Sequence, residues 1–156
     1  MVEKMLLKNM SIPYGVLHDQ KLLCVKQENG RLIFTFEIEI FENNYIGEWY
    51  LKYKDFKYCD MIVELGTEDD DSYQLITAVD SHNKFHGLLI DKEKFLNSVN
   101  DAKVTFVDCR ANEYSFAVNV DINFCNSQNF KKYKRYSTCS IEIYTDKSVS
   151  FKWYNK

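Results

Sequence analysis

The octapeptide Lys52-Tyr53-Lys54-Asp55-Phe56-Lys57-Tyr58-Cys59 returns 80 positions later as Lys132-Tyr133-Lys134-Arg135-Tyr136-Ser137-Thr138-Cys139. Both lysines, the first tyrosine and the cysteine are kept, and Phe56 becomes Tyr136. Each copy follows a long alternating segment and runs into another. A chain written twice is constrained first as a packing problem, because one supersecondary unit can cover the apolar face of its copy. The echo therefore limits the fold more tightly than it limits the function.

The segments around the echo read as strands. Leu32, Phe34, Phe36, Ile38 and Ile40 fall on one side, with Thr35, Glu37 and Glu39 on the other. Successive strand side chains face opposite ways, so this period of two marks a half-buried strand. Leu22 to Gln27 and the turn Glu28-Asn29-Gly30 precede it, the pattern of a hairpin. In the second half, Tyr114, Phe116, Val118, Val120, Ile122 and Phe124 form one face, against Ser115, Ala117, Asn119, Asp121 and Asn123. Val104 to Cys109 and the turn Arg110-Ala111-Asn112 come before it, so Leu32 maps onto Tyr114 at an offset of 82. A second hairpin is expected in each half: Cys59–Leu65 with Tyr73–Val79, and Cys139–Ile143 with Val149–Trp153. Between the halves, Asp91 as N-cap and the stripe Phe95, Leu96, Val99 predict a short helix over about 92–100. The segment up to Met10 fits either a short helix or an edge strand.

One apolar sheet face per half must be covered. The expected fold is mainly β (α+β), a single domain over 1–156. It has two four-strand antiparallel units, approximately 21–79 and 103–154, packed as a sandwich or a continuous curved sheet. Aromatic residues at 15%, with 5 Gly and 1 Pro, suit strands and exclude a linker or low-complexity chain.

Twenty basic against 23 acidic residues, a net charge of −3, lack the basic excess that nucleic-acid binding needs. No apolar run of about 18 residues predicts a membrane helix, and the first residues lack a signal-peptide pattern. Five cysteines without a Cys-x-x-Cys pair read as buried thiols in a reducing cytoplasm. Phosphate loops, nucleophile elbows and zinc ligand sets are missing, so no catalytic residue, metal or cofactor is expected.

Several motifs carry chemistry that can be weighed. His18-Asp19 has the residue types of an acid–base pair, but on an extended chain the two point apart. There Asp19 serves a turn and His18 packs where the first strand begins. His82 and His86 have helix-face spacing for a metal, yet Asn83 and Gly87 make the segment a polar loop. Glu68-Asp69-Asp70-Asp71 lacks the alternation and glycine of a calcium loop and reads as a hairpin tip able to attract a basic partner. In the Lys-Tyr-Lys elements, Tyr53 and Tyr133 are placed to anchor the connection while the lysines stay in solvent. The connection Phe41 to Tyr50 concentrates Tyr45, Trp49 and Tyr50, residue types that make interfaces or close one end of a core.

The stretch Val16 to Ile40, with its hydrophobic-His18-Asp19 opening and its hairpin with an alternating second strand, resembles a class of small bacterial β-rich domains of unknown function. Some of that class look like immunity proteins of toxin systems. The resemblance, with the missing catalytic motifs, implies a non-enzymatic cytoplasmic protein-binding domain, an immunity-type inhibitor. Its expected contacts are Tyr45, Trp49, Tyr50 and Glu68 to Asp71, with His18 and Asp19 as a polar site. The alternative is a small-ligand module with an apolar pocket between the halves.

Overall fold

The alternating segments are strands. In the computed structural model, which describes residues 1–6, 16–41, 48–65, 73–80, 85–90, 92–93, 96, 103–111, 115–123, 136–144 and 148–155, the protein is mainly β. The strands are β1 (Val2–Leu6), β2 (Lys21–Glu28), β3 (Arg31–Glu37), β4 (Tyr58–Glu64), β5 (Tyr73–Asp80), β6 (Phe85–Ile90), β7 (Lys103–Ala111), β8 (Ser115–Asn123), β9 (Tyr136–Tyr144) and β10 (Ser148–Tyr154). A helix, α1 (Glu48–Tyr53), lies between β3 and β4.

The turn chemistry of the first hairpin is realised. Asn29 (φ 51°) and Gly30 (φ 71°) both adopt the left-handed conformation that a two-residue β2–β3 turn demands. Strand β3 alternates strictly, with Leu32, Phe34 and Phe36 buried. Ile38 is buried just beyond the strand, its amide donating to the Lys57 carbonyl at 2.7 Å.

The strand order is β1-β10-β4-β3-β2-β7-β8-β9-β5-β6, antiparallel throughout. This corrects the second hairpin expected in each half. Strand β5 leaves β4 and pairs with β9, while β10 leaves β9 and inserts between β4 and β1. Each half thus keeps a three-strand meander, and its next strand joins the other half's meander.

The order is also a palindrome. Exchanging every strand for the one five places along reproduces the same sequence read backwards. The registers agree with this. Both central hairpins carry an irregularity at the same place, between Leu22 and Cys24 and between Phe106 and Asp108, 84 positions apart. The two meanders meet through one paired position, Lys21 with Thr105, and those residues are also 84 apart. Phe34 faces Met61 as Val118 faces Ile141. The β3–β8 offset is therefore 84, two residues from the 82 that the alternation suggests; a shift of two keeps every side chain on its own face.

The connection from β9 to β10 bounds the shape. Tyr144 and Ser148 are four Cα steps apart, a reach of at most ~15 Å. Laid flat, the six strand spacings between β9 and β10 would span roughly 29 Å. The two strands joined by this short connection are thus far apart in strand order. Tyr73, Val118, Ile141 and Ile143 belong to the same buried cluster as Phe34, Met61, Phe151 and Trp153. The Tyr73 hydroxyl donates to Gln27 Oε1 at 2.7 Å, tying β5 to β2.

Of three further elements, two depart from the sequence reading and the N-terminal segment takes one of its two expected forms. The aromatic connection contains α1, whose polar and aromatic residues carry no clean helical stripe. The N-terminal segment resolves as the edge strand β1. The segment containing His86 is strand β6, so His86 is not on a helix face; His82 lies outside the described residues. Of the segment expected to be a helix over about 92–100, Lys92, Glu93 and Leu96 are described and helical, and Leu96 packs against the core; the rest lies outside the described residues.

Candidate functional site

Two polar arrangements stand on opposite faces of the five neighbouring strands β1-β10-β4-β3-β2. On the core face, Glu3 of β1 collects three donors. Trp153 Nε1 donates to Oε2 at 3.0 Å, the Tyr53 hydroxyl donates to the same oxygen at 3.1 Å, and Lys52 Nζ donates to Oε1. Tyr53 is fully buried and lies against Trp153, ring centroids 4.2 Å apart, with Phe56 at 6.4 Å on the indole. This is the role the first Lys-Tyr-Lys element was expected to play: the tyrosine anchors and the lysines remain exposed. Its counterpart, Lys132 to Lys134, lies outside the described residues. The hydrogen bond to Glu3 raises the Lys52 pKa. All the donors and the carboxylate satisfy one another, so this cluster secures α1 and β1 to β10.

Among the described residues, no helix or strand covers the other face of β2-β3-β4-β10, called the open face below. Pairing places its residues in cross-strand rows: Glu37, Tyr58 and Tyr154 in one, and Thr35, Asp60 and Lys152 in the next. A third row holds Ile33, Ile62 and Ser150. Among the described residues, these side chains are half-buried or exposed, and none of them belongs to the buried core cluster. Asp60 sits near the middle. Its Oδ1 accepts from Thr35 Oγ1 at 2.8 Å and from the Tyr154 hydroxyl at 3.0 Å. Tyr58 and Tyr154 stack with centroids 5.6 Å apart. Lys152 is directly opposite Asp60, yet its Nζ lies over the Tyr154 ring at 5.7 Å. The ion pairs among the described residues are His18–Asp19, Arg31–Glu64 and Lys52–Glu3; Asp60–Lys152 does not join them.

Burial is the main reason three groups hold their protons tightly. Burial, then the Glu3 charge, pushes the Tyr53 hydroxyl from 10.0 to about 12. Burial, then the hydrogen bond to Asp60, does the same to Tyr154, also to about 12. Burial pushes the Cys59 thiol well above 9.0. A group whose pKa is higher folded than unfolded contributes stability below its unfolded pKa and loses it as pH rises toward the folded value. The melting temperature should therefore stay level up to about pH 9 and fall steeply between about pH 10 and 12. A melting profile still level at about pH 12 would contradict these assignments.

The residues singled out from sequence fare differently. His18 and Asp19 do converge: His18 Nδ1 is 3.1 Å from Asp19 Oδ2. The extended-chain expectation is overturned because Asp19 is left-handed (φ 64°) in a turn after the short helical Val16–Leu17 segment. The pair is exposed, 53% and 77%, so it stands on the surface. The buried turn residue is Gln20, whose amide side chain grips the Glu39 backbone at 3.0 Å in both directions. Tyr50 lies half-buried on α1, and Trp49 belongs to the same helix. Tyr45 and Glu68, Asp69, Asp70 and Asp71 lie outside the described residues.

Sequence reading missed Tyr58, Asp60, Lys152 and Tyr154 as a group. The signal was present in the off-face positions of β4 and β10, Tyr58-Asp60-Ile62 and Ser150-Lys152-Tyr154. Pairing β10 with β9 kept them apart. Among the described residues no group of three or more His, Cys, Asp or Glu is placed to hold a metal, and no helix is long and apolar enough to cross a membrane. Cys24 and Cys59 are free thiols. Comparison with family models, with curated proteins and with solved structures returns no match to this chain.

Proposed function

We propose that this protein is a non-enzymatic protein-binding domain of the immunity type, acting in the cytoplasm, and that it is one five-strand unit used twice, the two copies closing as facing layers on a shared core. The observation that carries the binding role is the open face of β2-β3-β4-β10. It presents two tyrosines and two isoleucines flanked by Glu37, Lys152, Arg31 and Glu64. Aromatic and apolar residues inside a charged rim are the composition of protein interfaces. The free thiols Cys24 and Cys59 suit a reducing compartment.

The palindromic order supports the duplication and also helps to locate the site. Core positions stay apolar in both copies: Phe34 and Val118, Met61 and Ile141, Val63 and Ile143. The open-face positions do not correspond. Tyr58, Asp60, Lys152 and Tyr154 align by register with Thr138, Ser140, Ile76 and Val79. What the fold needs is present twice, and what only the first copy carries is free to serve a partner.

Co-expression with the products of adjacent genes tests the role. One such product should co-purify; Ile62→Lys, in the middle of the face, should break the complex, and Lys54→Glu, at the end of α1, should leave it intact. Failure of every adjacent product to bind, or binding insensitive to Ile62→Lys, overturns the proposal.

A further inference from the structure

We propose that Asp60 is the receiving group for an arginine side chain of the partner protein, with the guanidinium lying against the Tyr58 ring. The inference rests on the open face being a docking surface and names the chemistry at its centre.

Four observations converge. Asp60 is held by two donors that both reach Oδ1, so its orientation is fixed while no described residue bonds Oδ2. Its natural cross-strand counter-ion, Lys152, is turned away over Tyr154. Opposite charges facing each other on adjacent strands ordinarily pair, so the carboxylate stands prepared and uncompensated. Tyr58 stands beside it, its ring braced by Tyr154 at 5.6 Å. Finally, the register-matched positions of the other copy hold Ser140 and Thr138, neither charged nor aromatic, so sheet formation does not require this pair.

The charge complement of an isolated carboxylate is a cation, and the neighbouring ring selects which one. A guanidinium is planar and weakly hydrated. It can lie on an aromatic face while its in-plane N–H groups donate to a carboxylate oxygen. An ammonium is a strongly hydrated point charge and gains less from the ring. Because Oδ1 already has two donors, recognition falls on Oδ2. The Tyr154 hydroxyl that braces Asp60 keeps its proton through the physiological range, so it continues to donate to Oδ1.

The test titrates the isotope-labelled full chain with N-acetyl-arginine-methylamide and follows backbone amide shifts. Saturable shifts should centre on Tyr58, Asp60 and Tyr154, with an affinity on the order of millimolar. N-acetyl-lysine-methylamide should bind more weakly, and the uncharged citrulline analogue should cause no localised shift. Asp60→Asn, close to isosteric and retaining a carbonyl acceptor for Thr35 and Tyr154, should weaken binding about tenfold. Lys152→Met should keep or strengthen binding, because a competing cation is removed. Shifts centred elsewhere, equal response to citrulline, or loss of binding in Lys152→Met would overturn the inference. If arginine fails to bind while Ile62→Lys still abolishes a co-purifying complex, the docking face stands and only the role of Asp60 falls.

Discussion

Replacing Trp153 by alanine is expected to remove about 4 kcal/mol of stability, a large share of what a domain of this size possesses. The indole is 1% exposed and is the largest fully buried side chain among the described residues. Three consequences add together. A cavity opens where the ring met Tyr53 and Phe56. The Glu3 carboxylate loses its Nε1–H donor. The end of β10, which binds both β1 and β4, loses the residue that seats it. Urea titration followed by far-ultraviolet circular dichroism should show a much lower midpoint, or no folded baseline. Trp153→Phe should recover part of the loss by filling the cavity, but not the part due to the missing donor. A midpoint change below about 1 kcal/mol for the alanine variant would contradict the packing described.

Glu3→Ala is expected to be nearly as costly, about 3 kcal/mol, although it deletes a short surface-edge side chain. Removing the acceptor leaves the Tyr53 hydroxyl and the Trp153 indole N–H facing a protein interior without partners, and an unmade buried hydrogen bond costs about 1–3 kcal/mol. Lys52 contributes little, because it is exposed and returns to water. Glu3→Gln should cost less, about 1 kcal/mol, since its carbonyl oxygen can still accept from one donor. The double variant Glu3→Ala with Tyr53→Phe should be less destabilised than the sum of the two, because each removes the other's unsatisfied group. Strict additivity in urea midpoints would show that the contact carries no coupling.

Much of the fold could be read along the chain, and the particular elements show why. Strand β3 was legible because its period of two is unbroken, and the β2–β3 turn was legible because Asn29-Gly30 can adopt positive φ where other residues resist it. The anchoring role of Tyr53 was legible from the echo, since an element repeated by a fold is apt to serve the fold. What could not be read was pairing between distant strands. Residues 145–147 look like a tight turn, and a tight turn between two strands ordinarily makes a hairpin. Whether the chain instead crosses to a distant strand depends on which apolar faces must meet, and that is a property of the whole core. The open-face group followed from the same gap: Asp60 and Tyr154 are 94 residues apart and become neighbours only once β10 lies beside β4. The convergence of His18 and Asp19 was hidden for a different reason, the left-handed backbone at Asp19, which extended-chain geometry does not anticipate.

The exchange of fourth strands underlies both the stability predictions and the proposed docking face. Cross-strand nuclear Overhauser contacts test it most directly. The account predicts backbone contacts between Phe151 and Met61, between Phe151 and Glu3, and between Leu75 and Ile141, residues too far apart in sequence to meet by accident. It predicts none pairing β10 with β9 or β5 with β4. Contacts along a β9–β10 hairpin, in place of those between β10 and β4, would contradict the exchange and dissolve the site built on it.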